Sequence, residues 1–241
     1  MYKNALAIAL GLLVTNVAVA DNVLSHSSTP NNAVQAPWNQ PMGAFALTQS
    51  GSLAITLQNS VSCNDAGIHA ENFYYRRFDL DTYFSATGTV TIASVDIGVE
   101  QAVGGSGGSQ PINLNLYAIP NASPLTVANL GAPIGTASIS LPDQGLAMQN
   151  IPVAASLNGL THDLVVEVHS PDGETAGNSF FIGSNATASI NPNGAPSYLR
   201  AADCGVTEPT PVSSIGFANM NIVMVVNATT LPVGLQSFGI D

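Results

Sequence analysis

Asp79 and Asp81 stand two residues apart, so on an extended strand both carboxylates face one side. Carboxylates and loop carbonyls are what Ca²⁺ takes, at about six to eight oxygens. The turn Pro171-Asp172-Gly173-Glu174 offers Asp172 and Glu174 from a second loop. The pattern therefore admits a structural calcium ion on Asp79, Asp81, Asp172 and Glu174, or two solvated aspartates at a strand end. No D-x-[DN]-x-[DN]-G loop strengthens the first reading.

Arg76 and Arg77 are adjacent, and a strand would send them to opposite faces. One guanidinium must then meet apolar company, where it needs a carboxylate partner. Glu100 and Glu167 are the strand-borne candidates. The four residues read either as a structural ion pair or as an arginine lining a ligand pocket. Tyr74, Tyr83, Tyr117 and Tyr198 are the aromatics available to stack on a sugar, although strand aromatics more often serve the core.

Catalytic chemistry finds little support. No H-E-x-x-H and no G-x-S-x-G occurs. His162 and His169 flank an apolar run at a spacing that sends them to opposite strand faces. The glycine-rich stretch at 104–109 lacks the lysine and helix of a phosphate cradle. No catalytic residue is assigned. The expected cofactor set is empty, apart from the structural Ca²⁺.

Residues 1–20 read as a secretory signal peptide: Lys3, a short apolar core, then Ala18-Val19-Ala20 as the cleavage site. The apolar run falls short of the about 20 residues a membrane span needs, so no transmembrane anchor is expected in the mature chain. The destination is the cell exterior, the cell surface or the periplasm. Past residue 20 only Arg76, Arg77 and Arg200 are permanent cations, against 15 carboxylates in the whole chain. That balance repels nucleic acid and anionic lipid. Cys63 and Cys204 are the only cysteines, and in an oxidising compartment they are expected to bridge. Closing so long a loop restricts the unfolded chain by about 5 kcal/mol at most.

The elements that must position these groups are strands. Alternating or short apolar runs occupy 51–57, 72–80, 89–99, 112–119, 134–139, 148–154, 163–168, 179–182, 198–201 and 221–227. Gly, Pro and Asn separate them, and no helical period intervenes. About ten strands predict an all-β, two-sheet β-sandwich or jelly roll, one domain over 44–228. The Asn-, Ser- and Pro-rich stretch 21–43 is expected to be a flexible leader, with Trp38 tucked onto the domain. Residues 229–241 form a C-terminal tail.

Several segments together resemble a known family. They are NFYYRRFDL at 72–80, VDIGVE at 95–100, LVVEV at 164–168 with PDG at 171–173, FFIGSN at 180–185, APSYL at 195–199, DCG at 203–205 and IGF at 215–217. They are similar to secreted bacterial jelly-roll domains of galactose-binding-like type, accessory β-domains of unknown function often appended to exported hydrolases and surface proteins. The resemblance implies a jelly-roll accessory module and brings no established activity.

Two functional expectations follow. One is a non-catalytic module that binds carbohydrate or a cell-surface component. The other is a structural or adhesive surface protein acting through protein contacts; a hydrolase is more remote. The oligomeric state is left open.

Overall fold

Side chains alternate between the two faces of each strand, and the architecture follows from where the inward ones meet. The computed structural model describes residues 22–27, 45–190 and 195–233. The signal segment, Trp38 and the end of the C-terminal tail lie outside the described residues.

In chain order the strands are β1 (Val23–His26), β2 (Phe45–Thr48), β3 (Val61–Asp65), β4 (Ile68–His69), β5 (Asn72–Phe78), β6 (Thr89–Val103) and β7 (Gln110–Pro120). A single helical turn, α1 (Val127–Leu130), precedes β8 (Gly135–Leu141), β9 (Gln144–Asn158) and β10 (His162–Ser170). Then come β11 (Ser179–Ile182), β12 (Ser184–Asn185), β13 (Ser197–Ala201), β14 (Val206–Pro211), β15 (Asn221–Ile222) and β16 (Met224–Thr230). The protein is an all-β sandwich carrying one disulfide.

One sheet runs β14-β13-β5-β10-β7-β8, antiparallel throughout. The opposing sheet is built on β6. Its one edge pairs along the length of β9, and its other edge is shared between β16 and β11. Beyond β16 lies β2. Tyr74 and Phe78 of β5 and Val166 and Val168 of β10 point inward, where they share a core with Val95, Ile97 and Val99 of β6 and Val226 of β16. The alternate residues Phe73, Tyr75 and Val165 pack on the outer face of the six-stranded sheet instead, beneath Leu125 and Leu130 of the segment carrying α1.

The structure departs from the expected elements at several points: β2, β3 and β14 are strands where none was expected, and two further departures concern the leader and 51–57. The expected leader contains β1, which pairs with β3 from Val23↔Asn64 to His26↔Val61. Conversely, 51–57 is not a strand. Its carbonyls at Ser52 and Ala54 accept from the Asn185 side-chain amide at 2.9 and 2.7 Å, which satisfies them without a partner strand.

Cys63 on β3 bonds to Cys204, with their Cα atoms 5.8 Å apart. Cys204 ends a short 3₁₀ turn that Gly205 closes at φ 77°, a left-handed conformation that glycine adopts without steric cost. The bridge fastens the small β1-β3-β4 sheet to the far end of β13.

Arg76 is 1 % exposed and lies inside the sandwich. Its Nη1 donates to Ser197 Oγ at 2.9 Å, while Nε and Nη2 have no partner. Neither expected carboxylate reaches it. Glu100 accepts backbone N–H groups of Gln58 and Ser60 at 2.8 and 2.9 Å. Glu167 accepts from the Asn115 amide and the Tyr117 hydroxyl at 2.7 and 3.2 Å. The reason is geometric: Arg76 points inward, whereas Glu167 stands outward on the same sheet and Glu100 is held against the 58–60 segment. Burial pushes the Arg76 guanidinium down to about 10, still charged at neutral pH.

Two outcomes follow. A Cys63→Ser/Cys204→Ser double variant should lose about 2–5 kcal/mol in urea unfolding. Replacing Arg76 by Met removes an underpaired buried cation and should be neutral or stabilising by up to about 4 kcal/mol. A loss above about 2 kcal/mol in the same assay would refute this account of Arg76.

Candidate functional site

β5, β10 and β7 lie side by side and end together, and that end carries the molecule's densest group of carboxylates among the described residues. Arg77, Asp79 and Asp81 share one parity where β5 runs out into a turn. Asp163 is the second residue of β10, next to the Leu164↔Phe78 pair, so it falls beside Asp79 on the outer side. Asn121 follows Pro120, which pairs with His162.

Arg77 reaches Asp163 rather than Glu100 or Glu167. Its Nε and Nη2 both approach Asp163 Oδ2, at 2.7 and 2.5 Å, and its Nη1 donates to Ser123 O at 2.5 Å. All the pairing falls on Oδ2. Asp163 is only 4 % exposed, yet its Oδ1 has no partner. Asn121 is similar. Its amide nitrogen donates to Asp81 Oδ2 at 2.7 Å and to Leu160 O at 3.1 Å, and its buried Oδ1 accepts nothing. Thr82 N donates to Asp79 Oδ1 and Asp81 Oδ1 at 2.9 and 2.7 Å, which fixes the turn.

Burial raises the Asp163 carboxyl above its ordinary value; Arg77 opposes this, and the charges of Asp79 and Asp81 add to it. Asp81 is also resisted by burial, but hydrogen bonds with Asp79, Thr82 and Asn121 outweigh it and lower its value. These groups and Tyr198 line a cleft of about 360 Å³.

Away from the cleft, the same outer face carries a row of polar and planar groups across adjacent strands. Arg200 of β13 lies over the Phe73 ring at 3.5 Å, and Phe73 stacks on His169 with centroids 4.2 Å apart and planes 4° from parallel. His169 meets Glu71 at 2.9 Å and Asn113 at 3.3 Å, and Ser138 donates to Asn113 at 2.7 Å. The neighbouring row holds Tyr198, Tyr75, Glu167 and Asn115, in register across β13, β5, β10 and β7.

The remaining expected residues are scattered. Asp172 and Glu174 follow the other end of the nine-residue β10, roughly 25–30 Å from Asp79, so they cannot share an ion with it. Glu174 instead accepts from Asn22 at 2.7 Å. Tyr74 faces the core, fully buried, with its hydroxyl on Val61 O at 3.1 Å, so it is not ligand-facing. Tyr83 packs edge-on against Phe84, and Tyr117 is nearly buried under α1. Tyr198 alone of the four lines the cleft. Sequence reasoning missed Asp163 and Asn121, whose contribution depends on register. The shared parity of Asp163, Glu167 and His169 was the one available signal.

No family model, no curated protein and no solved structure matches the chain. No helix among the described residues is long and apolar enough to cross a membrane.

His69, fully buried, contacts Ala70 O at 2.8 Å and Gln110 at 2.9 Å. Burial lowers its pKa, against those hydrogen bonds and the charges of Asp172 and Glu174. Between the lowered folded value and the ordinary 6.5, the unfolded chain binds more protons, so stability falls as pH drops below 6.5. Urea midpoints measured from about pH 8 to 5 should show this loss, and His69→Gln should flatten it.

Proposed function

We propose that this chain is an exported, non-catalytic β-sandwich module that binds carbohydrate on the outer face of its six-stranded sheet. It would be of the accessory kind that its sequence segments resemble. The observation that carries the reading is the row Arg200, Phe73, His169, Asn113 and Ser138, flanked by Glu71. Hydroxyl groups need both donors and acceptors, and this row supplies both from side chains locked by stacking and mutual hydrogen bonds. Preorganised groups lose little conformational freedom when a ligand arrives. The half-buried rings supply apolar edges for sugar C–H groups.

Glu100 and Glu167 do not form an acid–base glycosidase pair. Glu100 and Glu167 project from opposite sheets of the sandwich, and sheets pack about 10 Å apart before the outward side chains are counted. They cannot flank one glycosidic bond.

The test is a glycan array probed with the exported chain, followed by calorimetry on each hit. Arg200→Ala and Asn113→Ala should each weaken a hit at least about tenfold, equivalent to about 1.4 kcal/mol. Silence on the array together with concentration-dependent oligomers in light scattering would replace this reading with the adhesive one. Turnover of a glycoside, ester or peptide substrate would overturn its non-catalytic part.

A further inference from the structure

We propose that the cleft at the end of β5, β10 and β7 is a divalent-cation site, built for Ca²⁺ by Asp79, Asp81, Asp163 and Asn121. This goes beyond the carbohydrate reading and does not rest on it.

Three observations converge. First, Asp79, Asp81 and Asp163 each present an oxygen such that the three lie within 4.8 Å of one another. Two oxygens bound to one Ca²⁺ at about 2.4 Å can be no more than about 4.8 Å apart, so one ion can touch all three. Second, the acceptors left over are the wrong ones for a finished protein interior. Asp163 Oδ1 is buried and unpartnered although Arg77 stands beside its other oxygen, and Asn121 Oδ1, from a different strand end, is buried and unpartnered too. Buried acceptors without donors cost about 1–3 kcal/mol each, and more when charged. A cation among the three carboxylates would supply the partner that Asp163 Oδ1 lacks, and Arg77 cannot do so while it holds Oδ2 and Ser123 O. Third, three carboxylates face a single guanidinium, leaving an uncompensated negative charge of two in the ionised cluster.

All the donors are oxygens, with no thiolate or imidazole among them, which suits a hard cation and not zinc or copper. Four protein oxygens fall short of the about six to eight that Ca²⁺ takes. The open side of the cleft leaves the rest to water or to hydroxyls of a ligand. Mg²⁺ demands a tighter octahedron than side chains spread over three strand ends and a turn provide.

The exported chain, stripped with EDTA and dialysed into chelator-free buffer, is titrated calorimetrically with CaCl₂ alone. One ion per chain is expected, with Kd at or below about 1 mM, the weak end for extracellular sites. At 100 times Kd the Tm should rise by roughly 5–10 °C. Asp79→Asn and Asp81→Asn leave the Arg77–Asp163 pair intact. Each should weaken binding at least tenfold with an unchanged circular-dichroism spectrum. Asp172→Asn/Glu174→Gln, at the other end of β10, should bind as the parent does. An EDTA-treated chain that gives neither heat nor a Tm change up to about 10 mM CaCl₂ would overturn the proposal. So would binding that survives Asp79→Asn/Asp81→Asn, or binding lost in the Asp172/Glu174 variant. No glycan enters these measurements, so their failure is distinct from failure of the carbohydrate reading.

Discussion

The register of β5 against β10 is the constraint on which the rest of this molecule depends. Leu164↔Phe78 through Ser170↔Asn72 is an unbroken antiparallel ladder. Because side chains alternate, that ladder decides at once which residues are core and which are surface. Tyr74, Arg76 and Phe78 go in; Phe73, Tyr75 and Arg77 go out. A slip by one residue would put Arg77 in the core, Tyr74 on the surface, and Asp163 out of reach of its guanidinium. The same ladder brings Asp163 level with Asp79, and β7 on the other side of β10 brings Asn121 level with both. The cleft is thus a consequence of strand pairing, with turn chemistry adding only the fixing of Asp79 and Asp81 by Thr82.

The chain uses positive charge sparingly, and each of the three arginines beyond the N-terminal segment stands on β5 or β13, adjacent strands of one sheet. Arg77 neutralises one carboxylate of a crowded end. Arg200 closes a stack over Phe73 and donates to the Tyr75 hydroxyl at 3.2 Å. Arg76 donates one hydrogen bond inside the sandwich. None is left as a loose surface charge. Elsewhere, buried carboxylates are satisfied by neutral donors: Asp96 takes the amides of Asn150 and Asn227 at 2.8 and 2.7 Å, and Glu100 takes backbone N–H groups. An interior held by amides and hydroxyls avoids the desolvation cost of ion pairs.

Period two made much of this legible. It separated Arg76 from Arg77, placed Asp79 and Asp81 on one side, and located most of the strands of the two main sheets. The cysteines, bracketing the domain, predicted their own bond. What remained hidden was what needs long-range pairing. Nothing near Asp163 in the sequence says that it will lie beside residue 79, and nothing near Asp172 says that it will not. β1 escaped because its four residues sit among Asn, Ser and Pro and become a strand only when β3 supplies a ladder. The opposite error at 51–57 has the same root. Its alternation is genuine, but the Asn185 side chain takes its carbonyls, so the pattern of a strand appears without a partner.

The segment from Asn121 to Gly131 gives the outer face its division of labour. It leaves β7 at the cleft, lays Leu125 and Leu130 over Tyr75, Tyr117 and Val165, and ties to β14 where Val127 N donates to Glu208 at 2.8 Å. Had it been absent, those apolar groups would stand bare on a sheet face between two polar zones. Covered, they form a small second core that excludes water from the foot of Arg77 and from Glu167. Exclusion of water strengthens the electrostatics of both neighbours. On one side it sharpens the cost of leaving Asp163 Oδ1 without a donor, and on the other it stiffens the row that begins at Arg200. The two zones therefore share one support.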